Sequence, residues 1–184
     1  MLLILMGKTC SGKTFITKEL EKKYNFQRII TTTSRPIRNN ESDGIDYYFI
    51  TKEKFLKKIK ENQFVEYKSY PTPNGEWYYG TSYDSLNNIE DNKNYVIVLT
   101  PDGYKELIKK IKIPYKSIYI YSSCSTIKTR LKNRNDTNDS IDRRMNADNR
   151  MFKNAESMVD KIIYNNIGED IDKIIKKIIE IVEE

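Results

Sequence analysis

The chain has 184 residues, 38% hydrophobic and 32% charged, enough for one well-packed core with lobes but not for two full domains. Lys and Arg outnumber Asp and Glu by 32 to 26, and the resulting +6 suits a polyanionic ligand, either nucleotide phosphates or nucleic acid. Histidine is absent, which excludes histidine triads, histidine general bases and histidine metal sites. The two cysteines, Cys10 and Cys124, lie far apart, so no disulfide framework is expected and a reducing compartment is.

Leu2 to Met6 is a short apolar run that reads as a strand buried on both faces. It is too short for a signal-peptide core or a membrane span, and no later segment approaches that length, so a cytoplasmic protein is expected. The spacing Gly7-x-x-x-x-Gly12-Lys13-Thr14 follows, with a strand before it and a helix after it, which is the P-loop pattern in its required context. Glycine at positions 7 and 12 permits backbone conformations that let successive amides curl around phosphate oxygens. Gly7, Thr9, Cys10, Ser11, Gly12, Lys13, Thr14 and Phe15 are therefore the candidate nucleotide-binding residues. Lys13 would bring a cation to the β- and γ-phosphates, and Thr14 would offer its hydroxyl to Mg²⁺.

Lys13 to Tyr24 reads as a helix with Phe15, Ile16, Leu20 and Tyr24 on one stripe. Phe26 to Thr32 reads as a second strand, followed by a polar loop to Gly44. Tyr47 to Ile50 reads as a short strand, Thr51 as the cap of a helix through Phe55, Leu56 and Ile59, and Phe64–Tyr70 with Trp77–Thr81 as a hairpin. Tyr95–Leu99 is an apolar strand, Pro101 opens a helix reaching Ile111, Ser117–Tyr121 is a strand, and Ser125 begins a helix through Leu131. Residues 132 to 150 are charged and nearly free of apolar side chains. Lys161–Tyr164 is a last short strand, and Glu169–Glu184 a clean amphipathic helix with an isoleucine-rich inner face.

Apolar strands alternating with helices mean an α/β fold, here a P-loop three-layer sandwich with a central parallel sheet. The aromatic, strand-rich stretch 33–84 breaks the rhythm and reads as an inserted mixed α+β lobe, and the arginine-rich stretch 122–150 as a helical lid. Residues 1–32, 85–121 and 151–184 then form the core. A P-loop core with two such excursions is the plan expected of a nucleoside monophosphate kinase, one holding the acceptor and the other closing over the donor.

The residues resemble the guanylate kinase family. The resemblance is carried by Thr31, Ser34-Arg35, Arg38, Glu41, Gly44, Asp46-Tyr47 and Phe49 after the second strand, then by Phe64-Val65-Glu66, Tyr79-Gly80-Thr81, and Arg130-Leu131, Arg134 and Arg143-Arg144. It implies transfer of the ATP γ-phosphate to GMP or dGMP, giving GDP or dGDP, with Mg²⁺ as cofactor and small-molecule nucleotides rather than nucleic acid or membrane as partners. Under it, Arg35, Arg38, Tyr47 and Tyr79 would hold the acceptor phosphate, and Glu66 would accept the N1 and exocyclic amino protons of guanine. Thr31, Thr81 and Thr100 would add hydroxyl contacts, Arg130 and Arg134 would meet the donor, and Lys13, Arg134 and Arg144 would stabilise the transferring group, with Arg143 as an alternative to Arg144. The family's Asp-x-Asp after the third core strand is replaced here by Val98 and Thr100. Taken singly, the arginines read as solvated charge, the tyrosines as packing residues and Glu66 as the outer face of a strand; the joint pattern reverses those readings. The competing functions are a kinase of this fold with another acceptor, such as a modified nucleotide or a phosphosugar, a non-catalytic interaction domain of the same fold, and a nucleic-acid binder.

Overall fold

The computed structural model describes residues 1–39, 41–72, 75–87, 89–133 and 140–184. The chain divides into two compact units, one of residues 1–28, 92–101 and 113–184, the other of residues 29–91 and 102–112.

The first unit is built on a five-stranded parallel sheet, β1 (Leu2–Met6), β2 (Gln27–Arg28), β7 (Tyr95–Val98), β8 (Tyr115–Tyr121) and β9 (Lys161–Tyr164), in the order β2-β7-β1-β8-β9. All five residues of β1 are fully buried, as a central strand covered on both faces must be. Alternation sends Leu3 and Leu5 to one face, where they join Ile16 and Leu20 of α1 (Lys13–Tyr24) and Ile174, Ile175, Ile178, Ile181 and Val182 of α6 (Ile171–Glu183). Each of these aliphatic side chains contributes about 2 kcal/mol by leaving water. Asp170 caps α6, its carboxylate accepting from the amides of Asp172 and Lys173. The stripe expected on α1 is narrower in the structure. Phe15 is 54% exposed and Tyr24 also lies open, whereas Thr17 is buried because its hydroxyl donates to the Lys13 carbonyl at 2.9 Å. Two further helices, α4 (Cys124–Asn133) and α5 (Ile141–Met151), follow β8. The second lies in the stretch read as helical although it carries no apolar stripe, and none of its residues is buried; Ser140 caps it by accepting from the Arg143 amide.

The second unit carries a four-stranded sheet, β4 (Tyr48–Phe49), β3 (Thr32–Thr33), β6 (Gly75–Ser82) and β5 (Phe64–Thr72), in that order. The single strand expected over Phe26–Thr32 is two short strands, since the chain leaves the parallel sheet after Arg28 and enters this one at Thr32. Thr51 caps α2 (Lys52–Lys60) as expected, its hydroxyl accepting from the Lys54 amide. Phe55 of α2 stacks on Phe64 with ring centroids 4.3 Å apart, which roots the helix on β5. A register shift between Phe64 and Glu66 interrupts the alternation of β5, so Phe64, Val65 and Glu66 are buried in succession. The remaining helix, α3, covers Pro101–Ile108 and stops short of Ile111. Among the described residues no helix is long and apolar enough to cross a membrane.

Candidate active site

In the first unit the loop between β1 and α1 leaves the carboxyl end of the central strand, where open α/β sheets place their ligands. Gly12 is the N-cap of α1 with φ 100°, and no side chain caps it. A Cβ there would collide with the Asn165 amide, and one on Gly7 would lie 2.5 Å from the Ile120 carbonyl oxygen. Only glycine fits either place, and a helix start without a side-chain cap suits an anion. Lys13 folds onto the loop it belongs to, its Nζ donating to the carbonyls of Gly7 at 2.6 Å and Lys8 at 2.8 Å. Thr14 and Phe15 stand exposed on the first turn, and Ser11 is buried beneath the loop.

A polar brace holds the loop from below. Arg130 of α4 donates to the Cys10 carbonyl at 3.1 Å and to the Asn165 side-chain oxygen at 3.3 Å. Asn165 in turn donates to the Ser11 carbonyl at 2.8 Å, and the Ser122 hydroxyl donates to the Asn165 carbonyl at 2.6 Å. Asp148 of α5 accepts from the Thr9 amide at 2.6 Å. Burial pushes the Asp148 carboxyl above its ordinary range, while the Thr9 amide, Lys13, Lys8 and Arg144 oppose that rise. Arg144 acts on Asp148 through its charge, whereas Arg143 uses its amide in the cap of α5. Arg134 lies outside the described residues.

The second unit gathers the residues expected to hold the acceptor. Arg35 is only 4% exposed, an unusual state for a guanidinium. It is paid for by Glu41, 2.8 Å away, by the Pro36 carbonyl at 2.7 Å, and by the rings of Tyr47 and Phe49, each with its centroid 5.5 Å from the guanidinium carbon. Glu41 also accepts from the Arg38 amide at 3.1 Å, which ties the arginine pair into one turn. Tyr47 and Tyr79 meet edge to face at 6.1 Å. Burial raises both phenols above their ordinary value, with the neighbouring Arg35 pulling back, so both remain hydrogen-bond donors at neutral pH. Glu66 is 7% exposed and pairs in register with Thr81, whose hydroxyl donates to it at 2.6 Å. Burial raises the Glu66 carboxyl, and the Thr81 hydroxyl and amide, then Lys110 and Lys68, work against that. Lys110 donates to the Val65 carbonyl beside it. Thr31 sits next to β3, its carbonyl accepting from Tyr48 at 2.9 Å. Thr100 is half-buried at the end of β7 in the first unit, next to the half-buried Val98. Asp102 is exposed and lies 3.8 Å from Lys68.

Each unit therefore contains a built cluster: a phosphate loop with its own lysine, and a guanidinium–tyrosine set beside a buried carboxylate. The family model for guanylate kinase matches residues 1–184, the whole chain. The chain belongs to the guanylate kinase family. The guanylate kinase of Wolbachia pipientis wMel is 31% identical over 182 residues, covering 97% of this chain and 87% of that protein. That of Fusobacterium nucleatum subsp. nucleatum is 28% identical over 186 residues, covering 99% and 95%. A crystal structure of guanylate kinase from Anaplasma phagocytophilum shares the fold, with a TM-score of 0.69 at 20% identity over 99% of this chain and 84% of that one. By family, then, the chain is a phosphotransferase.

Sequence reasoning passed over four residues of this guanylate kinase family member's site. Asn165 and Ser122 brace the loop, Asp148 bonds to it, and Lys110 lies by Glu66. Asn165 had a usable signal, since it follows the apolar strand β9 at its carboxyl end. Asp148, in a helix without an apolar stripe, had none.

Proposed function

We propose that this chain transfers the γ-phosphate of ATP to GMP or dGMP, releasing ADP with GDP or dGDP. The observation that carries the reading is Glu66, a buried carboxylate held in place by Thr81 in a chain with an intact phosphate loop. Guanine presents adjacent N1–H and amino donors that a carboxylate accepts together, whereas adenine presents a bare acceptor at N1. Thr81 and Thr31 supply further hydroxyls to the base.

In this reading the donor phosphates lie on the loop from Gly7 to Phe15, with Thr9, Cys10, Ser11 and Gly12 between them. The glycines that a Cβ would block, and the uncapped start of α1, fit that group. Mg²⁺ fits the exposed Thr14 hydroxyl, the remaining coordination coming from phosphate oxygens and water. Among the described residues no group of three or more cysteines and carboxylates is placed to hold a metal by itself. When bound, the ion would neutralise charge on the phosphates.

The acceptor phosphate is clamped by Arg35 and Arg38 with hydrogen bonds from Tyr47 and Tyr79. Its attacking oxygen is already an anion, because a phosphate monoester loses its second proton near about pH 6. No general base is needed, which agrees with a chain that has no histidine. Lys13 stabilises charge on the transferring group, joined by Arg134 and Arg144 from residues 122–150, which act as the lid. Arg130 holds the loop and meets the donor. Residues 33–84 act as the acceptor lobe, and 1–32, 85–121 and 151–184 as the core.

A coupled assay of ADP release, run with GMP, dGMP, AMP, CMP and UMP, tests the reading. GMP and dGMP are expected to give the highest kcat/KM. Strong turnover of another acceptor with none of GMP would overturn it.

A further inference from the structure

The helix α5 lies against the phosphate loop through polar contacts. None of its residues is buried, so little apolar packing fixes its position. Two consecutive side chains near its end fasten it: the Asp148 carboxylate accepts from the Thr9 amide at 2.6 Å, and the Asn149 side-chain oxygen accepts from Lys8 Nζ at 2.8 Å. The first bond is at the short limit for N–H···O, as expected of an ionised acceptor. Lys13, Lys8 and Arg144 all act on the same carboxylate. Asp148 thus bonds a loop amide within the field of three cations, and a phosphate oxygen would suit the same amide and the same field.

We propose that Asp148 sets the affinity for the phosphate donor by holding a loop amide that a donor phosphate oxygen would otherwise take. The proposal rests on the loop being the ATP site. A carboxylate and a triphosphate repel each other, so the donor binds fully only where α5 has released Thr9. The donor's apparent affinity is then its intrinsic affinity multiplied by the fraction of molecules already released. Asp148 acts through the loop amide, so the effect falls on the donor.

The test uses the full chain with Asp148→Asn and Asp148→Ala, and Asn149→Ala as a control that removes the bond to the Lys8 ammonium but leaves the carboxylate on the Thr9 amide. Binding of ATP and of inorganic tripolyphosphate is measured by titration calorimetry, KM is measured for ATP and for GMP, and thermal melts report folding. A charge-assisted hydrogen bond of ordinary strength predicts that both Asp148 variants bind both probes about ten- to hundredfold more tightly, and Asn149→Ala, which frees no loop amide, less than about threefold. KM for ATP falls in step while KM for GMP stays within about twofold. Asp148→Asn keeps the size of the side chain, so it remains informative if Asp148→Ala melts early. Equal or weaker binding of ATP and tripolyphosphate by a folded Asp148→Asn protein overturns the proposal and leaves the donor-site reading standing. Wild-type protein that binds neither probe overturns that reading, and this proposal with it.

Discussion

Replacing Glu66 by Gln separates recognition from stability. The side chain is buried, and it already accepts from the Thr81 hydroxyl at 2.6 Å and from the Thr81 amide, which orient the carboxylate toward the base. Gln keeps the shape and one oxygen but puts an NH₂ donor where a second acceptor is needed. One charge-assisted hydrogen bond is lost, the other is weakened, and two donors are forced together, which costs about 3 kcal/mol or on the order of 10²-fold in kcat/KM for GMP. Stability moves the other way. Burial raises the carboxyl of Glu66 above its unfolded value, so its contribution to folding is fully present below the unfolded pKa and is lost as pH rises through the folded one. Glu66→Gln removes that dependence, so the variant melts at a higher temperature than wild type at neutral pH, and the difference shrinks toward about pH 4. The assays are initial rates with GMP and AMP at fixed ATP, and thermal melts across that pH range. A variant with GMP kcat/KM within about threefold of wild type, or with equal losses for GMP and AMP, refutes the reasoning about the base.

Arg35→Ala leaves Glu41 without the cation 2.8 Å away and removes the charge between the Tyr47 and Phe49 rings. It is expected to lower stability by about 3 kcal/mol in urea unfolding and to raise KM for GMP far more than KM for ATP. Lys13→Met is expected to lower kcat by roughly 10²- to 10³-fold with the melt little changed, which single-turnover kinetics and calorimetry check together. Ile178→Ala on α6 empties a fully buried position in the core of the first unit. It should cost about 3 kcal/mol in urea unfolding while both KM values stay within about twofold.

What could be read from sequence was what local periodicity and spacing encode. β1 and the loop after it carry both, as a strand without polar residues and as glycines at fixed offsets, so the loop was legible to the residue. Of the inner face expected on α6, Ile171, Ile174, Ile175, Ile178, Ile179 and Val182, the structure buries Ile174, Ile175, Ile178 and Val182 and leaves Ile171 and Ile179 half-buried, with Ile181 buried beside them. Phe15 falls on the apolar stripe of α1 by spacing yet projects outward, because helical spacing alone does not say which way the first turn faces. The break after Arg28 was invisible because both halves are strand-like and differ only in which sheet they join. Burial of Glu66 was equally hidden, since alternation suggested an outward residue and a register shift turned it inward. The partners of Asp148 and Asn165 are more than a hundred residues away in the chain, at Thr9 and Ser11, so no local pattern could announce them.

The central claim is transfer of one phosphoryl group between two nucleotides. Incubation with ATP labelled in the γ-phosphate, Mg²⁺ and GMP, followed by separation of the products, tests it most directly. Label is expected to leave ATP only when acceptor is present and to be recovered on the β-phosphate of GDP. Label recovered as inorganic phosphate whether or not GMP is present, with GMP unchanged, would contradict it.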